Sequence, residues 1–173
     1  MKWVTADLFD TDEKGRIVEH WDVIAEYVED TASGRTMVDG PTKVEDLEKT
    51  DANKVVVQGF VDDVLIGGKA DKVTDYISTA QYDQHNPEVE DGLEGFGKHL
   101  KQVMETGSAA KYLKVHHLIG QGNFVVIYSH TQMAGEDYAF FDLFRLKDGK
   151  IVEHWDVQEK ISPKEMWNNS GKF

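Results

Sequence analysis

Apolar residues along this chain follow two periods, and the switch falls near Gly107. Upstream, Val57, Phe60, Val61, Val64 and Leu65 fall on one helical face, closed by Gly67-Gly68. The β-branched run Val55-Val56-Val57 by itself argues for a strand, so the start of this helix is weakly marked. Asp71 to Ile77 reads as a short second helix and Gln81 to Gly92, with Asn86-Pro87, as a loop. Leu93, Phe96, Leu100, Val103 and Met104 form the apolar face of a third helix that Gly107 ends. Downstream the period is two. Lys111 to Ile119, Phe124 to Met133, Tyr138 to Leu146 and Lys150 to Gln158 read as four strands joined by short turns, which predicts an antiparallel meander. Three helices followed by such a meander give an α+β domain over residues 51–173, with the helices on one face of a curved sheet. The tail from Ser162 to Phe173 holds Pro163, Trp167 and Phe173 in polar company and is expected to lie across a surface.

The period of two also appears at the start. Residues 3–10 and 16–24 read as two strands around the turn-rich Asp12-Glu13-Lys14-Gly15. Their content is repeated later: Ile-Val-Glu-His-Trp-Asp-Val occurs at Ile17–Val23 and at Ile151–Val157, each time after Asp-Leu-Phe and a turn glycine. The separation is about one small domain, far beyond a solenoid period. Residues 1–24 therefore read as an orphan hairpin resembling the end of a preceding domain. Residues 25–50, rich in Asp, Glu, Thr and Gly, read as a connector.

Composition narrows the function classes. The formal net charge of −13 repels nucleic-acid phosphates and anionic membrane surfaces. With no cysteine there is neither disulfide nor thiolate chemistry, which fits a reducing cytoplasm. The opening residues reach an acidic stretch before any apolar run forms, and nothing is long enough to span a bilayer.

Strand alternation then sorts the ionisable residues. His130 shares a face with Phe124, Val126 and Tyr128, Asp142 with Tyr138, Phe140 and Phe144, and His154 with Val152 and Asp156. If these rows face the helices, a carboxylate and two imidazoles meet in an apolar cavity, where burial and neighbouring charge tune proton transfer. Each residue alone reads first as a satisfied core group. Together they point to a pocket in which Asp142, His130 and His154 are the catalytic candidates, and His85, Asn86, His116, Tyr128, Phe140, Phe144 and Asp156 the ligand-binding ones. His116 and His117 are adjacent, so at most one is expected inside. His130, His154 and a carboxylate also match a two-His, one-carboxylate metal set, but no short ligand spacing supports it, and no metal or other cofactor is called for.

Three segments are similar to a known family: Tyr82-Asp83-Gln84-His85-Asn86-Pro87, Asp91-Gly92-Leu93-Glu94-Gly95-Phe96, and Asp142-Leu143-Phe144 through Ile151-Val152-Glu153-His154-Trp155-Asp156-Val157. They resemble the SnoaL-like polyketide cyclases of the nuclear transport factor 2-like superfamily, in particular a bacterial subgroup of predicted aldol-condensing proteins. The resemblance implies a cone-like α+β barrel, a pocket under the helices and a homodimer formed through the open sheet face. It also implies that Asp142 is a general acid/base with His130 beside it, and that His154 and His85 are further polar pocket positions. Two functions follow as expectations: a cofactor-independent lyase, isomerase or cyclase acting on a carbonyl compound, or a non-catalytic module of the same fold that binds a small ligand or another protein.

Overall fold

The computed structural model describes residues 1–173. Strands β1 (Trp3–Thr11) and β2 (Ile17–Glu26) form a separate antiparallel hairpin. Helix α1 (Thr50–Phe60) runs into a π-helical stretch, Val61–Ile66, and α2 is a single turn, Val73–Tyr76, entered through a 3-10 turn. A two-residue strand, β3 (Asp83–Gln84), precedes α3 (Gly92–Thr106). The meander follows as β4 (Lys111–Gln121), β5 (Phe124–Met133), β6 (Glu136–Lys147) and β7 (Lys150–Lys160).

The fold is α+β, with three helices on a curved sheet of order β3-β7-β6-β5-β4. All neighbours are antiparallel except β3, which adds to β7 in parallel. That strand lies in the segment read as a loop. No helix is long and apolar enough to cross a membrane.

Both faces of the sheet are covered, and this decides where every candidate residue points. On the inner face Val57, Phe60, Val61 and Val64 pack against Val125, Ile127, Phe140, Phe144, Leu146 and Ile151. The helix prevails over the β-branched run because this face has a sheet to bury itself on, while Val55 stays in solvent. On the outer face Val4 and Val23 of the hairpin, with Met37 of the connector, pack against Tyr128, Ala139, Phe141 and Val157. The connector is ordered there: Trp155 Nε1 donates to the Asp39 carbonyl at 2.8 Å, and Glu45 and Asn123 exchange hydrogen bonds of 2.8 and 2.9 Å. The tail completes the cover, with Phe173 stacked on His116 at 4.2 Å between ring centres. Much of the outer face is therefore covered by the chain's own hairpin, connector and tail.

Candidate active site

Strands β6 and β7 build the centre of the site. Their register sets Asp142 opposite Asp156 and Phe144 opposite His154, and directly opposed residues share a face. A bulge between Arg145 and Leu146 shifts the parity, so Ile151 and His154 both reach the inner side despite their odd separation. Strand β3 places Gln84 beside His154.

These side chains stand at the base of a cavity of about 620 Å³ under the helices. Its walls are largely apolar, from Phe60, Leu65, Phe96, Leu100, Val103, Tyr138, Phe140 and Phe144. Its polar lining includes Asp142, His154, Asp156, Gln84, Asn86, Gln158 and Tyr112, and its exposed rim carries Glu26, Glu88 and Glu136. No Lys or Arg lines it.

Asp142 is 2% exposed. Tyr112 Oη donates to its two oxygens at 3.0 and 3.1 Å, and its Oδ1 lies 3.2 Å from His154 Nε2. On the far side of that imidazole, Nδ1 lies 3.2 Å from Gln84 Oε1, which can only accept. Nδ1 therefore carries a proton, and the contact between Nε2 and Asp142 holds one more, on either the imidazole or the carboxyl. Asp156 accepts from Asn86 Nδ2 at 2.7 Å and from Gln158 Nε2.

Burial raises the Asp142 carboxyl above the ordinary carboxylate range; the His154 and Tyr112 hydrogen bonds oppose this, and the charge of Asp156 adds to it. Burial, with Asp142 and Asp156 nearby, lifts the Tyr112 phenol well above its usual value and raises Tyr82 as well. The hairpin supplies a control. Asp7 Oδ1 lies 2.9 Å from His20 Nε2, and Phe9 stacks on His20 at 4.4 Å as Phe144 stacks on His154 at 5.0 Å. There the carboxyl is held below its ordinary value, chiefly by the His20 hydrogen bond. One local arrangement thus shifts its carboxyl in opposite directions, and the deeper desolvation of Asp142, aided by the charge of Asp156, is what differs.

Of the expected site residues, the structure gathers Asp142, His154, Asn86, Phe140, Phe144 and Asp156 around the cavity. It separates the other four. His130 sits opposite Ala139 on the outer face, 3.1 Å from Asp137, because on β5 the residues facing the helices are Val125, Ile127, Ser129 and Thr131. Tyr128 shares that outer face and donates to the Lys172 carbonyl. His116 occupies a bulge in β4 and stacks on Phe173; its neighbour His117 contacts Trp21 and Tyr128, so both point outward. His85 is buried on the outer side of β3, stacked on Trp155, with Nδ1 at the Thr36 carbonyl and Nε2 at Glu153. Burial alone would lower it, but Glu153, the Thr36 carbonyl and Asp39 outweigh that and hold it above its ordinary value. With His130 and His154 on opposite faces, the two-His, one-carboxylate set does not assemble.

Sequence reasoning missed Tyr112, Gln84, Tyr82 and Gln158. Alternation was the available signal for two of them: extended backbone from Tyr82 puts Tyr82, Gln84 and Asn86 on one side and Asp83 and His85 on the other.

The SnoaL-like domain family matches residues 57–154, the segment that contains this cavity. No curated protein matches the chain. Among solved structures, a candidate ketosteroid isomerase from Kribbella flavida superimposes with a TM-score of 0.55 at 14% identity, over 70% of this chain and 91% of its own. A candidate polyketide cyclase from Bacillus cereus gives 0.51 at 20% identity, over 62% and 74%. An epoxide hydrolase of M. tuberculosis gives 0.50 at 16%, over 64% and 85%. At these identities the likeness establishes the fold.

Proposed function

The chain belongs to the SnoaL-like domain family, and on that premise we propose that it is an acid–base enzyme that moves a proton on a carbonyl compound, as an isomerase, lyase or aldol cyclase. The observation that carries this reading is the Asp142 carboxyl: desolvated, raised above the ordinary carboxylate range, and in contact with one imidazole and one phenol at the base of an apolar cavity. A general base works best when its pKa approaches the working pH. In the proposed step Asp142 takes the α proton and the C–H electron pair moves onto the carbonyl oxygen. His154 then donates to that oxygen or returns the proton at another carbon. Tyr112 holds the carboxylate in place. The enzymes named among the structural neighbours include an isomerase, a cyclase and a hydrolase, so the fold supports acid–base work on small molecules without choosing the reaction.

The lining also narrows the substrate class. With carboxylates at the base and the rim and no Lys or Arg, the cavity disfavours phosphate, carboxylate and other anionic groups. The substrate in this reading is uncharged or cationic, with an apolar body.

The test is proton exchange. The protein is incubated in D2O with a set of uncharged cyclic ketones, and deuterium uptake at the α carbon is followed by NMR. Exchange that Asp142→Asn removes supports the reading. Saturable binding of the same ketones with no exchange would assign the cavity to a ligand carrier instead.

A further inference from the structure

We propose that the free edge of β1 pairs with β1 of a second copy of this chain, joining the two hairpins into one four-stranded antiparallel sheet. The starting point is the pairing inside the hairpin. Tyr27 N–H donates to the Lys2 carbonyl at 3.0 Å, so by antiparallel alternation Val4, Ala6 and Leu8 bond to β2, while the backbone groups of Trp3, Thr5, Asp7 and Phe9 point out from the edge.

The two edges of the hairpin are treated differently. Along β2, Glu159 accepts the Ile24 N–H at 2.9 Å and Lys172 Nζ donates to the Asp22 carbonyl at 3.1 Å, so that edge is capped by side chains of the domain. The edge of β1 has no such cap. From Trp3 to Asp10 it also lacks the Lys, Pro or bulge with which exposed edges are usually blunted; its irregularity comes only at Asp10/Thr11. In the repeated segment the matching strand, β6, has the same edge filled over ten residues by antiparallel β5.

The sequence of β1 favours itself as that missing strand. A two-fold axis at Ala6 leaves Trp3 opposite the other copy's Phe9, Thr5 opposite Asp7, and Lys2 opposite Asp10. The outward backbone groups of positions 3, 5, 7 and 9 then meet each other, as the ladder requires. This register keeps the two Asp7 side chains from lying directly opposite and sets Lys2, which also bridges Glu29 of its own chain, opposite Asp10 at each end. It also brings together the exposed aromatic groups of the hairpin, since Trp3 is 56% and Phe9 49% exposed.

The measurement is the mass of the full chain by sedimentation equilibrium over a range of concentrations. A reversible dimer is expected. Thr5→Pro removes an outward N–H without touching a backbone bond inside the hairpin and should weaken association at least about tenfold. Lys2→Glu, which sets an acid opposite Asp10, should weaken it about fivefold, and Lys2→Glu with Asp10→Lys should restore it. The charge pair decides the matter even where Thr5→Pro disturbs the hairpin itself, which circular dichroism would reveal. A chain that stays monomeric, or a dimer indifferent to Lys2→Glu, overturns the proposal.

Discussion

Asp142 and His154 lie diagonally across β6 and β7, with Oδ1 and Nε2 3.2 Å apart and one proton to share between them. The same relation between Asp7 and His20, in solvent on the hairpin, leaves the carboxyl below its ordinary value rather than above it. The chemistry proposed for the inner pair therefore depends on the helices that exclude water from it, and the predictions test that dependence.

Replacing Asp142 by Asn keeps the shape and removes the proton acceptor. Turnover of any α-proton reaction should fall by about 10²- to 10⁴-fold. The same substitution in the outer pair, Asp7→Asn, should leave kcat unchanged. Parallel kinetics on the two variants check both statements.

Stability should move the other way. A carboxyl whose folded-state pKa is raised gives its full contribution below its unfolded value and loses it as pH rises through the folded value. Asp142→Asn carries no such penalty. Its melting temperature should approach that of the wild type near pH 4 and exceed it increasingly as pH rises above the ordinary carboxylate range. Thermal melts across pH check the sign, and a constant offset would contradict a buried, raised Asp142.

Tyr112→Phe removes a donor to both oxygens of Asp142. Hydrogen bonds to the charged form favour it, so the acid limb of the pH–rate profile should shift to higher pH while the fold persists. At a fixed pH on the acid limb the rate should drop by up to about tenfold, in line with roughly 1.5 kcal/mol for a bond to a charged group. A profile displaced toward lower pH would refute the role given to Tyr112.

Much of this fold was legible because its local signals agree. Helical spacing at Val57, Phe60, Val61 and Val64, the glycine stop at Gly107 and the alternation after Lys111 each answer to one side being buried. Asp142 was legible for the same reason, since its row of Tyr138, Phe140 and Phe144 is aromatic throughout. On β5 both rows are apolar: one faces the helices, the other lies under the hairpin and tail. Parity says which residues travel together but not which row meets the helices, so His130 and Tyr128 were assigned to the wrong side. The bulge in β4 changes parity locally without a glycine to mark it, which hid the orientation of His116. His85 was misplaced because Gln81 to Gly92 reads as a loop, so the alternation that sets His85 against Gln84 and Asn86 was not applied to it.

The hairpin's packing on the outer face gives the last prediction. Val23 is fully buried against the sheet, in a cluster with Tyr128, Phe141 and Val157. Val23→Ala deletes about two methylene equivalents and leaves part of a cavity, a loss of about 2 kcal/mol. Ile24→Ala, on the solvent side of the same strand, should cost no more than about 0.5 kcal/mol. Chemical denaturation distinguishes a hairpin integrated in the cooperative unit from one that merely rests on it. Integration requires Val23→Ala to lower the midpoint of the single transition followed at the cavity, whereas a hairpin that frays independently would leave that midpoint where it is. Deleting residues 1–24 should then lower the melting temperature further, because Tyr128, Phe141 and Val157 lose their cover together.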